Sequence, residues 1–371
     1  MSFDLQPASF DDIPGWQGDD HAAALAAFCR TARLILEDQY STKKIGPHPD
    51  ELKPAAEAAL ALAERINAGS PSHADARAFF EHWFEPRMLL QHTENGLSPI
   101  GKVTAYFEPV TQASKAKSDQ YPVPLYRRPP DLIDIDDHNR PPDMDPYFRF
   151  ARKADAGISP YFDRAAISAG CLNEQGLELA WVKNPLSAYF IHIQGSARLA
   201  FDDGSSTRIA YAAKTGHPYT SIGKYLIDIG ELELASSDMA ALHRWFECNP
   251  DRTSEILNQN RSFIFFRTVE GTDPELGPIG ATKVQLQDGR SLAVDKELHT
   301  YGLPIWVSTA GIDPEQPHQF DRLMIAQDTG SAIVGPVRGD LFVGSGEPAG
   351  QIAGRVNQSA KFTLLWPRSN P

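Results

Sequence analysis

Hydrophobic positions along this chain follow two periods, and the change from one to the other divides it. Between His21 and Tyr40, the residues Leu25, Phe28, Ala32, Ile35 and Leu36 fall three or four apart, as on one face of a helix. Asp19 and Asp20 stand just before this stretch as candidate N-caps. The same spacing recurs over Pro54–Ala68 and His73–Phe84, which end near Gly69 and Pro86, so the first hundred residues are expected to be helical. The residues ahead of His21, containing Pro and Asp, read as linker.

After Pro99 the texture shortens to strands and turns. Val103–Phe107, Pro122–Tyr126 and Leu179–Val182 are brief β-branched or aromatic runs bounded by Gly or Pro. Ala188–Leu199 reads as a longer run of the same kind, and Asp202-Asp203-Gly204 as a hairpin turn into Ser206–Tyr211. Arg127–Pro146, rich in Pro and Asp, reads as a surface loop. Helical texture returns at Ser221, with Ser237-Asp238 as a cap for a helix through Phe246 and Thr253 for another through Leu257. Short strands are then expected at Phe263–Phe266, Leu303–Thr309, Arg322–Ala326, Asp340–Val343 and Lys361–Trp366. With no crossover helix between them, this spacing suits a small barrel better than a βαβ sheet.

Composition narrows the function classes. A length of 371 residues favours two domains. A formal net charge of -13 argues against nucleic acid and against tight docking on anionic lipid, since both need a basic face. Cys29, Cys171 and Cys248 form no CxxC pair and no zinc spacing, and each is expected to act as a small buried apolar residue. The histidines include no HExxH pair, so His192 and His217 read as core or loop residues. Ser196 lies outside any GxSxG elbow, and Gly344-Ser345-Gly346 lacks the GK[ST] of a phosphate loop.

One segment combines acid groups with backbone freedom. Asp328 stands at the end of one expected strand and Asp340 at the start of the next, with glycines at 330, 335, 339, 344 and 346 around them. These glycines permit tight turns and a close approach of ligand to backbone. Two readings are open from the residues alone: ordinary turn aspartates at barrel corners, or a desolvated carboxyl with a raised pKa suited to general-acid work.

The motifs extend beyond that segment. Asp328-Thr329-Gly330-Ser331-Ala332-Ile333, then Arg338-Gly339-Asp340-Leu341-Phe342-Val343-Gly344-Ser345-Gly346 and Ala353-Gly354, resemble the C-terminal signature of the membrane-bound lytic transglycosylase A (MltA) family. Thr104-Ala105-Tyr106-Phe107-Glu108-Pro109, Tyr121–Tyr126, Arg164–Ile167, Ile193–Ala197 and Lys214–Lys224 resemble further blocks of that family, in family order, over about residues 100 to 366. Ser331 stands where family members often carry glycine.

The resemblance implies a mainly β protein with an α-helical N-terminal region, built as a double-psi β-barrel with a second β-rich domain inserted into it. Residues 1–108 would form the N-terminal helical part of the barrel domain, 109–262 the insert with its helices, and 263–371 the catalytic barrel part. It implies cleavage of the β-1,4 bond between N-acetylmuramic acid and N-acetylglucosamine in peptidoglycan, leaving 1,6-anhydromuramic ends. Asp340 is then the catalytic acid and base, with Asp328, Thr104, Tyr106, Phe107, Gln194, Ser196 and Lys224 binding substrate. Two other readings stand beside it: a glycoside hydrolase on the same barrel, with Asp328 as second carboxylate, and an inactive glycan-binding module. No metal or organic cofactor is expected, peptidoglycan strands are the expected partner, and the chain is expected to be a monomer. Location in the periplasm follows from the substrate, and the resemblance leaves attachment to the outer membrane open. Met1–Pro7 carries neither a basic nor an apolar leader region, so the native reading frame is expected to begin upstream or to have been trimmed.

Overall fold

The computed structural model describes residues 2–65, 72–233, 239–312 and 320–369. The chain opens with β1 (Phe3–Pro7), α1 (His21–Leu36), α2 (Pro49–Arg65), α3 (His73–Trp83), β2 (Phe84–Thr93), β3 (Gly96–Ser98) and β4 (Gly101–Glu108). There follow β5 (Val110–Ser114), β6 (Val123–Tyr126), β7 (Leu132–Asp134), β8 (Phe150–Ala154), β9 (Gly157–Ser159), α4 (Arg164–Ser168) and β10 (Glu178–Val182). Next come α5 (Pro185–Gln194), β11 (Ser196–Phe201), β12 (Ser206–Lys214), α6 (Ile222–Asp228), α7 (Met239–Cys248), α8 (Thr253–Leu257) and β13 (Ile264–Val269). The last stretch holds β14 (Ser291–Val294), β15 (Pro304–Thr309), β16 (Phe320–Asp328), β17 (Arg338–Ser345), α9 (Glu347–Ala353) and β18 (Asn357–Pro367). The protein is mainly β, and it divides into two compact units.

The first unit comprises residues 1–107, 273–344 and 348–371. Among its described residues, one nine-stranded sheet runs β1-β2-β18-β15-β16-β14-β17-β4, with β3 on β2 and a further pairing of β18 with β4. Strand alternation builds two apolar layers from this sheet. Trp306, Leu323, Ile325 and Leu365 turn toward the helices, where they pack with Trp16, Phe28, Phe80 and Phe84. Their neighbours Ile305, Val307, Met324, Phe362 and Leu364 turn the other way and pack with Leu292, Val294 and Leu341. Strands buried on both faces are apolar at successive positions, as in Pro304–Val307.

The second unit comprises residues 108–272 and 345–347. Its six-stranded sheet runs β13-β12-β11-β5-β10-β6, and β7-β8-β9 form a smaller one. Glu108, fully buried, accepts from Arg208 Nε at 2.6 Å and Nη2 at 3.0 Å, and from Ser345 Oγ at 2.9 Å. The Glu108 carbonyl accepts from the Gly346 N–H at 2.9 Å. A buried carboxylate needs this completeness of partners, because desolvation costs it several kcal/mol.

Several sequence expectations change. Residues ahead of His21 are not linker: β1 pairs antiparallel with β2, and Trp16 is buried against Trp306 with centroids 5.2 Å apart. Asp20 caps α1, accepting from the Ala23 N–H at 3.0 Å, whereas Asp19 forms a buried bidentate pair with Arg290, both contacts at 2.8 Å. Helix α2 begins at Pro49 rather than Pro54, because Glu51 accepts from the His48 N–H at 2.8 Å and closes its first turn. The end of that helical pattern at Ala68 and Gly69, and the Ser237-Asp238 cap of α7, lie outside the described residues.

The run Ala188–Leu199 is not one strand. Asn184 caps a helix with Pro185 in its first turn, and Gly195 ends it in the left-handed region at φ 73° before β11 begins. Arg127–Pro146 is not wholly loop, since β7 lies within it and Leu132, Ile135 and Met144 are buried. Phe263–Phe266 does not join the first unit's sheet: β13 pairs with β12. Cys248 is exposed rather than buried. No helix among the described residues is long and apolar enough to cross a membrane.

Candidate active site

Three neighbouring strands of the first unit position the acid groups. β14 lies between β16 and β17, and its Ala293 is in register with Asp328 on the first and with Asp340 on the second. Residues opposite one another across a sheet share a face, so both carboxyls rise on the same side, with Ala293 at the register position between them. Their Cα atoms are about 10 Å apart, two strand spacings. A register shift between Leu292 and Ala293 brings Asp328 into this alignment.

β4 supplies the donors. Thr104 and Tyr106, two residues apart, lie on one face of that strand, and the Thr104 hydroxyl donates to Asp340. Thr104 Oγ1 in turn accepts from Arg338 Nη2 at 2.8 Å. Arg338 stands two residues before Asp340 on β17, and its other terminal nitrogen donates to the Gly339 carbonyl. The Tyr106 hydroxyl donates to Asp328 at 2.7 Å, and the Ala281 N–H donates to the other oxygen at 2.9 Å. The Tyr106 ring rests on Phe342, with centroids 5.4 Å apart.

The two carboxyls therefore differ in what they can do. Asp340 is crowded by protein atoms yet only half-buried. Burial pushes its pKa up to about 6, with the Asp328 charge acting the same way and the Thr104 hydroxyl and Arg338 guanidinium opposing. Asp328 is also raised by burial, but Tyr106 and the backbone N–H groups of Thr329 and Ala281 hold back the rise. Asp328 has its oxygens engaged by fixed donors, whereas Asp340 can exchange a proton in the neutral range.

Among the residues expected at the site, Thr104, Tyr106, Asp328 and Asp340 come together. Phe107 turns to the opposite face of β4, packing in the apolar layer and against Gly350 of α9. Gln194, Ser196 and Lys224 belong to the second unit. Gln194 is the last residue of α5, and Ser196 is buried at the start of β11 opposite Ala210. Lys224 is exposed and pairs with Asp228 one turn along α6 at 2.7 Å. Of the glycines, Gly339 faces the packed interior, where a Cβ would lie 2.7 Å from Phe362 and 2.9 Å from Leu292. Arg338 and Ala293 are participants that sequence reasoning missed. Arg338 had a signal in its position two before Asp340 on a strand; Ala293 had none.

Apart from Ala281, the residues that build this site fall within matched family segments. The family segment described as the MltA specific insert domain matches residues 102–267, and the 3D domain matches residues 290–366. A solved membrane-bound lytic murein transglycosylase from Agrobacterium tumefaciens superposes with a TM-score of 0.88 at 41% identity, covering 98% of this chain and 98% of that one. MltA from Neisseria gonorrhoeae superposes with a TM-score of 0.79 at 30% identity, covering 99% of this chain and 93% of the other. Membrane-bound lytic murein transglycosylase A of Escherichia coli (strain K12) is 31% identical over 268 residues, which are 71% of this chain. That match spans 64% of the relative's length, somewhat under two thirds. By these likenesses the chain belongs to the membrane-bound lytic murein transglycosylase A (MltA) family.

Proposed function

We propose that the protein is a peptidoglycan lytic transglycosylase in which Asp340 is both acid and base. The observation that carries this reading is a half-buried residue whose carboxyl, with its pKa pushed up to about 6 by burial, is held in place by the Thr104 hydroxyl and, through it, by Arg338. Protonated Asp340 donates to the glycosidic oxygen between N-acetylmuramic acid and N-acetylglucosamine, and the bond to C1 breaks. The substrate's own acetamido oxygen closes on C1 as an oxazolinium-like species. The Asp340 carboxylate then takes the proton of the C6 hydroxyl, whose oxygen attacks C1 and forms the 1,6-anhydro ring as the bond from C1 to the acetamido oxygen breaks. Bonds and protons balance without water, and one carboxyl suffices, unlike the two-carboxylate pattern of most glycosidases.

Asp328 serves this chemistry as a fixed neighbouring charge. A hydrolase reading would need it to activate water, and its donors from Tyr106 and Ala281 favour a positioning role instead. Digestion of purified cell walls followed by mass spectrometry tests the reading. Anhydro ends are expected; reducing ends alone would make the enzyme a hydrolase, and no release would make it a binding module.

The same reading extends to architecture and place. The additional pairing of β18 with β4 supports a double-psi barrel carrying the second unit as an insert. The relatives' description as membrane-bound supports work in the cell envelope, at the periplasmic face of the outer membrane.

A further inference from the structure

A cleft of about 520 Å³ opens in the first unit beside the acid pair, lined by Gln91, Ile100, Lys102, Val334, Val337 and Arg338. Alternation on β4 puts Lys102 on the same face as Thr104 and Tyr106, and alternation on β17 puts Arg338 on the same face as Asp340. The Lys102 N–H donates to the Val337 carbonyl at 2.9 Å, which brings the two basic residues side by side. This pair lies one strand repeat, about 7 Å, from the level of Thr104 and Asp340.

The local charge stands out against the chain's balance of 48 acidic to 35 basic residues. Among the described residues no carboxylate lies within ion-pair distance of Lys102 or Arg338, and the charge that acts on Arg338 is that of Asp340 on the same face of β17. The carboxylate behind the cleft, Asp295, is already engaged by the Gly335 N–H at 2.8 Å and the Glu297 N–H at 3.0 Å. Arg338 directs donors at Thr104 and Gly339, and a guanidinium has five N–H groups, so capacity for a further acceptor remains. Exposed Ile100 and Val334 form an apolar rim at the same opening.

We propose that this cleft is a carboxylate-binding subsite that takes the acidic side arm of a muramic residue, with Lys102 as the residue that reads its charge. The proposal rests on the transglycosylase reading and names which of the two alternating sugars Asp340 addresses. A muramic residue carries a lactyl ether at C3, whose carboxyl is either free or extended by an acidic peptide; N-acetylglucosamine carries neither. A sugar whose C1 lies at Asp340 reaches one strand repeat away with that arm, and its methyl group meets the apolar rim. Charge then adds to the choice of bond, because the sugar with the anionic arm is favoured with C1 at the acid.

Binding measured by calorimetry in the Asp340→Asn chain, where turnover is blocked, tests this with three probes. These are a neutral chitin hexasaccharide, a peptide-free hexasaccharide alternating N-acetylglucosamine and N-acetylmuramic acid, and its peptide-bearing form. Adding Lys102→Gln is expected to weaken the peptide-free acidic probe about 3- to 5-fold at low salt and to leave the neutral probe unchanged, because a partly exposed charge contact is worth this much. Raising salt to about 0.5 M should close the gap, since exposed charges are screened. Lys102→Glu should widen it. If the peptide-bearing probe alone responds, the carboxylate read is on the peptide rather than on the lactyl group. Equal loss for neutral and acidic probes, or none for either acidic one, overturns the subsite while the transglycosylase reading stands. Absence of binding by every probe to the Asp340→Asn chain defeats both.

Discussion

Asp328 and Asp340 stand in register with the same alanine, one on each side of β14. The sheet, rather than a loop, therefore sets their separation, and elements of this kind hold a site more closely than loops do. Two like charges on one face make each other harder to ionise, and the Asp328 charge is among the causes that lift Asp340. The pair is unequal because its donors are unequal, and each side-chain donor can be removed singly.

Asp340→Asn should lower release of anhydro-ended fragments by at least about 10²- to 10⁴-fold, since an amide can neither give up nor recover the proton. Binding of glycan should persist. Near-full activity in the folded variant, followed by mass spectrometry of digested cell walls, would remove Asp340 from the chemistry.

The same variant should be more stable than the parent at neutral pH. The folded-state carboxyl has its pKa raised from 3.8 to about 6, so the folded form binds the proton more tightly than the unfolded chain. This favourable contribution is complete below about pH 4 and is lost as pH rises through 6. Asparagine has no such loss. Thermal or urea melts should place Asp340→Asn about 1–2 kcal/mol above the parent at pH 7–8, with the advantage gone at pH 4. An advantage that grew as pH fell would contradict the sign.

Thr104→Val removes the hydroxyl that holds the Asp340 pKa down and keeps the side chain's shape. The alkaline limb of the pH–rate profile should move up by about half a unit to one unit, with a lower maximal rate because Arg338 loses its acceptor. A downward move would mean that Thr104 acts through packing alone.

Tyr106→Phe acts in the opposite sense. Without its donor, Asp328 holds a proton to higher pH, and its charge weighs less on Asp340. The alkaline limb should move down, and the fold should lose about 1–2 kcal/mol for the unpaired acceptor. Carboxyl titration by ¹³C NMR in labelled protein separates the two aspartates, and an upward shift at Asp340 would overturn the coupling.

Much of this was legible from local pattern. The strand beginning near Asp340, the cap Asp20, the return of helix after Ser221, and the hairpin at Asp202-Asp203-Gly204 are all present, because each is set by a few neighbouring residues. Pro185–Gln194 was misread because a continuous apolar run carries no period, and the informative residues were the flanking Asn184 and Gly195. The segment before His21 was misread because its reasons are distant: β1 needs β2, Trp16 needs Trp306, and Asp19 needs Arg290. At the site, both aspartates were visible as types in a glycine-rich setting. Ala293 was not, since its role is to be small at a register position that only strand pairing defines.

The buried Glu108 also bears on how the chain is made. Its partners in the second unit come from residues 198 and 208 and from residues 345 and 346, and Ser345 stands 237 positions further along. On the ribosome, where segments emerge in order, the unit that begins at Glu108 cannot complete this cluster when residue 272 appears. It must wait until the sequence through β17 has been synthesised, and until then the carboxylate lacks the Ser345 hydroxyl and the Glu108 carbonyl lacks the Gly346 N–H. A chain truncated between residues 272 and 345 would thus present the insert with an unfinished interior, at a stage when synthesis has already passed its own end.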